Sequence, residues 1–233
     1  SMEQIGQNYG FVMYETSVRT GTKTISFSPF PRDRAHVFVN GTTAIADPLY
    51  RVDGNKSTPL TMAGVGGNSN LQILVENMGR INYGHGMTDH KGIDGAHGEA
   101  VLLDGKNVTG PGAWKIWPLP LEYAQLQRLK WVDASNAQSS SLTSTFEPTF
   151  FRGSFTIDAA QPADTYLSTL GWGKGLVWIN GKNLGRFWEA MGPQHSLWLP
   201  SPLLRGNGSS NEIILLELDR PNYVNMSLSF RTT

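Results

Sequence analysis

Two apolar runs in this sequence end in Asn-Gly, HVFVNG (His36–Gly41) and LVWING (Leu176–Gly181), 140 residues apart. Asn-Gly is the pair best suited to a two-residue hairpin turn, where both central residues must take positive φ. Each run is followed at nearly constant spacing by a second apolar run that ends in glutamate. Asn40 lies 36 residues before Glu76 of ILVEN, and Asn180 lies 37 residues before Glu217 of LLELD. A strand, a tight turn and a later apolar strand thus occur twice, with a period of domain size rather than the 20–50 residues of a solenoid or propeller. The repeat predicts two copies of one sandwich.

The rest of the chain agrees. There are 26 Gly and 13 Pro among 233 residues, and helical periodicity is almost absent, so many short strands joined by turns are expected. β-rich runs occur at Tyr9–Tyr14, Thr24–Phe30, His36–Val39 and Leu71–Glu76. They resume at Phe151–Ile157, Leu176–Ile179, Ser196–Leu199, Glu212–Leu218 and Met226–Phe230. The exception is Leu119–Trp131, where Leu121, Leu126 and Leu129 fit one or two helical turns. The serine-rich stretch before Glu147 reads as a connection. The expected division is a first sandwich over 1–125, a linker over 126–149 and a second sandwich over 150–233, all-β throughout.

Charge and composition narrow the function. Nineteen basic residues balance nineteen acidic ones, which removes the electrostatic footprint of a nucleic-acid or anionic-membrane partner. No apolar run approaches the roughly 20 residues of a membrane-spanning helix. The absence of cysteine excludes disulfides, thiolate metal sites and a cysteine nucleophile. No basic-then-apolar leader is visible in SMEQIGQNYG. Sequons at Asn40, Asn55, Asn107, Asn207 and Asn225 exceed the roughly two to three expected by chance and hint at secretion and N-glycosylation.

Candidate chemistry is sparse. GVGGN (Gly64–Asn68) and GWGKG (Gly171–Gly175) match neither a dinucleotide nor a phosphate loop and read as turns. His85, Asp89, His90, Asp94 and His97 cluster in one glycine-rich loop without the spacing of a zinc or calcium site, so no metal and no cofactor are expected. Glu76, Asp89, Asp94, Glu99, Glu189 and Glu217 could supply the two carboxylates of glycoside hydrolysis. Glu76 and Glu217, at matching strand ends, read more simply as residues that pair or accept backbone hydrogen bonds. Four of the seven Trp, at 172, 178, 188 and 198, fall in one 27-residue window with Asn180, Asn183 and Arg186. Trp178, within LVWI, and Trp198, between Leu197 and Leu199, read as core. Trp172 and Trp188 lie at turns and are expected to face solvent or another domain; packing is weighed there against sugar stacking.

Three blocks resemble the C-terminal part of glycoside hydrolase family 35, the β-galactosidases of lysosomal and plant type. They are Ser1–Thr16 (SMEQIGQNYGFVMYET), Ile73–Gly84 (ILVENMGRINYG) with KGI at Lys91–Ile93, and Gly171–Leu204, and they keep the family's order. Phe187 and Glu189 stand where Tyr and Pro are common in that family. The resemblance implies two jelly-roll accessory domains of galactose-binding type that normally follow a (β/α)8 barrel carrying both catalytic glutamates, with no catalytic residue in this chain. It further implies that the barrel of a parent protein and galactosides are the partners. Tyr83 would sit at the rim of the sugar pocket and Arg80 would bridge strands or the barrel face. Trp172, Trp188, Asn180 and Arg186 would bind sugar or form an interface. The function expected on this basis is bracing the barrel of a retaining exo-β-galactosidase, with a free-standing galactoside-binding module as the alternative and an independent hydrolase ranked last. The parent would be secreted, lysosomal or vacuolar, and an exposed apolar or aromatic patch of several hundred Å² is expected on the fragment.

Overall fold

The computed structural model describes residues 1–45, 48–50, 58–83, 89–94, 98, 100–133, 147–219 and 227–231. These form two compact units that divide between Glu122 and Tyr123. The predicted linker is described only at its two ends. At the first end the short helix α1 (Tyr123–Leu126) belongs to the second unit, with Leu126 buried. Of the predicted helical stretch only these four residues are helical, and Leu121 just before them takes a positive φ of 56°.

In the first unit the strands are β1 (Phe11–Val18), β2 (Thr24–Ser28), β3 (Arg34–Val39), β4 (Thr42–Thr43), β5 (Leu49–Tyr50), β6 (Leu60–Thr61), β7 (Ser69–Glu76), β8 (Ala100–Leu103), β9 (Lys106–Asn107) and β10 (Lys115–Leu119). One sheet has the order β10-β1-β7-β3-β4 with β5 also on β3; the other runs β6-β2-β8-β9. All described pairings are antiparallel. Alternate residues point to opposite sheet faces, so Val12, Tyr14, Val37, Val39, Ile73 and Val75 from one sheet meet Ile25, Phe27 and Val101 from the other in a shared core.

The second unit contains β11 (Thr149–Thr156), β12 (Thr165–Ser168), β13 (Lys174–Ile179), β14 (Lys182–Trp188), β15 (Ser196–Leu199), β16 (Ser210–Glu217) and β17 (Ser229–Arg231). Its sheets run β11-β16-β13-β14 and β15-β12-β17. Val177, Ile179, Phe187 and Leu215 of the first sheet pack on Leu167, Leu197 and Leu199 of the second. The chain is all-β, two jelly-roll sandwiches, with α1 the one α-helix among the described residues.

The repeated Asn-Gly motif does the same work in both units. Asn40 and Gly41 have φ of 53° and 81°, and Asn180 and Gly181 have 47° and 80°, the backbone of a type I′ turn. Each asparagine also stitches the turn to the neighbouring strand. The Asn40 backbone N–H donates to the Asn70 carbonyl while its Oδ1 accepts from the Asn70 N–H, both at 2.8 Å. The Asn180 N–H donates to the Glu212 carbonyl (3.0 Å) and its Oδ1 accepts from the Glu212 N–H (2.9 Å). Asp-Gly or Gly-Gly would satisfy the turn but would not reproduce this pattern with an additional Nδ2 donor, which reaches Ser69 in one unit and Leu203 and Asn211 in the other.

Candidate functional site at the charged end of the first sandwich

β3 begins at Arg34 and β7 ends at Glu76, and the two residues are register partners. Both are buried, with Nη1 3.8 Å from Oε2. Around this strand end the N-terminal segment and the segment following Asp89 converge. Lys91 is 1% exposed, and its Nζ lies 2.7 Å from Asp33 Oδ1 and 2.6 Å from Asp89 Oδ2. Two carboxylates on one ammonium compensate its desolvation, and removing one member of such a buried set costs about 3–5 kcal/mol. The main chain is tied in as well. Met2 N–H donates to the Lys91 carbonyl, and Lys91 N–H donates to the Glu3 carboxylate. Gly92, between these contacts, has φ +96°, and a Cβ there would collide with the Tyr14 hydroxyl, which accepts the Ile93 N–H at 2.9 Å.

From this base rises the segment 77–83. Asn77 donates its N–H to the Gly10 carbonyl and its Nδ2 to the Asn8 carbonyl, while its Oδ1 accepts the Gly79 N–H. Met78 N–H donates to Asp33 Oδ2 at 2.8 Å. Arg80 reaches the Asp89 carbonyl (3.1 Å) and the Glu3 carboxylate (2.6 Å). Burial alone would raise the Glu3 pKa, but hydrogen bonds from the backbone and from Arg80 outweigh it and hold the carboxyl below its usual range. The root of the segment is therefore fixed, and its tip is open: Ile81 and Tyr83 are 39% and 91% exposed. Tyr9 and Ile5, on the stretches of chain that anchor Asn77 and Glu3, are exposed beside them in sequence.

Asp33 and Asp89, bridged by one nitrogen at 2.7 and 2.6 Å, are neighbouring carboxylates of the kind a glycosidase uses as a pair. They are nevertheless buried, and Lys91 occupies the space between them, leaving no room for a glycosidic oxygen. In the His- and Asp-rich loop, Asp89 is held by Lys91, and His90 Nδ1 lies 3.5 Å from Asp94 and 3.7 Å from Glu3; His85 and His97 lie outside the described residues. No three His, Asp or Glu side chains are grouped to hold a metal among the described residues.

The second unit repeats the buried cation in another chemistry. Lys174, six residues before Asn180 as Arg34 is before Asn40, is fully buried with Nζ 4.7 Å from the Trp188 ring centroid, a cation–π contact. Glu217 accepts N–H groups from Gly173, Lys174 and Asp219. Burial drives its pKa up to about 7, against the pull of those hydrogen bonds.

The tryptophan assignments from sequence require correction. Trp172 is 6% exposed, packed edge-on against Phe151 at 5.2 Å, with Nε1 donating to the Ser227 carbonyl; it is a core residue with no face open to a sugar. Trp198, read as core, is 55% exposed, because Leu197 and Leu199 face inward and period two turns the residue between them outward. Trp178 is buried as expected. Asn180 is committed through both side-chain atoms to the fold. Arg186 is exposed, and it lines a cavity of about 300 Å³ with half-buried Trp188, Gln194 and Ser196. Of the sequons, Asn40 is a turn residue with its amide engaged, Asn107 and Asn207 are exposed, and Asn55 and Asn225 lie outside the described residues.

Comparison with known proteins accounts for both units. Residues 1–120 match the family model of the first all-β domain of β-galactosidases, and residues 148–211 match their galactose-binding domain. The chain is 36% identical over 230 residues to a β-galactosidase of Mus musculus, covering 93% of this chain and 33% of the relative. It is 36% identical over 239 residues to β-galactosidase 17 of Arabidopsis thaliana (95% and 33%) and 38% identical over 215 residues to β-galactosidase-1-like protein 2 of Homo sapiens (91% and 30%). It thus spans about a third of the length of these relatives. With the first all-β domain matched along the whole of one sandwich and the galactose-binding domain along most of the other, the chain belongs to the β-galactosidase family.

Proposed function

We propose that this chain is the non-catalytic accessory region of a retaining exo-β-galactosidase, bracing a catalytic barrel and lending the segment 77–83 to the rim of its sugar pocket. The observation that carries the reading is the contrast within that segment: its root is tied by at least five hydrogen bonds and ion pairs, while Tyr83 at its tip is 91% exposed. A solvated loop has no use for so much ordering, whereas a residue presented to a partner gains affinity from being held in place beforehand. Exposed Ile5, Tyr9 and Ile81 on the same connected segments supply the apolar contacts of such a surface. In the enzyme, the barrel's two carboxylates would act as nucleophile and as acid then base, and the charged end of this unit would hold the rim geometry.

The test is steady-state hydrolysis of a chromogenic β-galactoside by the full-length enzyme carrying these residues. Tyr83→Ala is expected to raise KM about three- to tenfold with kcat changed less, the pattern of lost ground-state contact. An unchanged KM would remove Tyr83 from the pocket rim.

A further inference from the structure

β11 is the outermost strand of its sheet and pairs only with β16. Its backbone groups divide by strand parity. The Asn180 N–H donates to the Glu212 carbonyl and the Leu218 N–H to the Lys174 carbonyl, so the even-numbered residues of β16 face β13 and the odd-numbered ones face β11. Their partners on β11 are Thr149, Phe151, Gly153 and Phe155. The N–H and C=O groups of Phe150, Arg152, Ser154 and Thr156 therefore point to the open edge, and no hydrogen bond among the described residues uses them. The middle of the strand, Arg152 to Ser154, is exposed.

Such an edge is a template for a further strand, and the other described edges are blunted in ways this one is not. β10 carries Lys115 and Pro118, β14 is bent by a register shift and by Gly185 at φ 127°, and the remaining edge strands have two to four residues. β11 has eight residues and no proline. At its centre is Gly153, which its own sheet does not require: its φ is not positive, and a Cβ there would meet only Ile213 Cγ2, at an ordinary 3.5 Å. Glycine inside a strand often marks the close approach of another backbone.

We propose that β11 pairs antiparallel with β11 of a second copy of this chain, the two-fold axis passing at Gly153 and joining two four-stranded sheets into one. Hydrogen bonding sets the register. Phe150 faces Thr156 of the partner subunit and Arg152 faces Ser154 of the partner subunit, so every outward N–H and C=O of both strands is used. Gly153 meets its own equivalent at a non-hydrogen-bonded position, where paired strands are closest. No like charges stand directly opposite. The two Arg152 side chains lie diagonally across the axis, each with its own Glu212 carboxylate at 2.6 Å. This self-complementarity about one residue selects a second copy over a foreign strand. One strand from each copy makes a small interface, under about 1,200 Å², so the dimer is weak, with Kd of about tens of micromolar.

Sedimentation velocity of the 233-residue chain from about 5 to about 500 µM should show a reversible monomer–dimer equilibrium. Ser154→Pro deletes one outward N–H and leaves the ladder to β16 intact. It should weaken dimerisation at least about tenfold with the circular dichroism spectrum unchanged. The register has its own test, since the chain has no cysteine. In Gly153→Cys the two thiols face each other on Cα atoms about 4.5 Å apart, within disulfide range, and mild oxidation should give a covalent dimer. In Thr156→Cys they lie six residues out of register, about 20 Å apart, and should not cross-link. A monomer at every concentration, dimerisation undiminished in Ser154→Pro, or cross-linking as fast in Thr156→Cys as in Gly153→Cys would each overturn the proposal.

Discussion

Lys91→Met is the sharpest perturbation of the first unit. Methionine keeps the length of the lysine stem and removes its charge, leaving Asp33 and Asp89 without the ammonium that contacts both at 2.7 and 2.6 Å. Lys91 is 1% exposed and the side chains of its partners are 10% and 2% exposed, so solvent cannot replace the missing charge, and the loss falls in the range for breaking a buried set, about 3–5 kcal/mol. At roughly 2–4 °C per kcal/mol for a chain of this size, that lowers Tm by about 6–20 °C. Differential scanning calorimetry of wild type and variant measures it directly. The triple variant Lys91→Met, Asp33→Asn, Asp89→Asn should regain part of the loss, since neutral amides remove the stranded charges. An amide at position 33 would have to keep its oxygen turned toward Met78 N–H, so recovery will be partial. A Tm drop under about 3 °C for Lys91→Met would mean the cluster is solvated and would refute the reasoning.

Three further outcomes follow from the same geometry. Trp172→Ala should cost about 3–5 kcal/mol while Trp198→Ala costs under about 1 kcal/mol, read by chemical denaturation; equal costs would reverse the assignment of core and surface. Glu217 should titrate near pH 7 by carboxyl NMR. Because its folded pKa lies above the unfolded value, the native state binds the extra proton, so its stabilising contribution is complete below about pH 4.5 and declines as pH rises through 7. A midpoint near 4.5 would show that the backbone donors fully offset burial. Expressed in a glycosylating host, the chain should carry glycans at Asn107 and Asn207 rather than at Asn40, whose amide is engaged in the turn; glycopeptide mass spectrometry with Asn40 occupied would contradict this.

The repeat is the most legible feature, because an Asn-Gly turn and the spacing to a paired strand are both local or nearly so. Glu76 and Glu217 are also readable: one faces a buried arginine and the other accepts backbone N–H groups, the two uses expected of strand-end carboxylates. β10 is hidden in the sequence because Pro118 interrupts it, yet it is an edge strand, where proline's missing N–H is tolerated. The tryptophans mislead when ring size is weighed above period. SLWL alternates strictly, and with two leucines inward Trp198 has to face out, whereas Trp172 enters the core from a turn by a route that only the tertiary fold reveals. The Lys91 cluster is not readable at all, since it joins Glu3, Asp33 and Lys91 across separations that no periodicity encodes.

The most direct test of the non-catalytic reading is to titrate the purified chain with galactose and lactose in a calorimeter while assaying the same sample on a chromogenic β-galactoside. No turnover and no heat with either sugar is the result expected of an accessory region whose catalytic carboxylates lie elsewhere in a parent enzyme. Turnover that survives repurification would contradict it and would place a working carboxylate pair within these 233 residues.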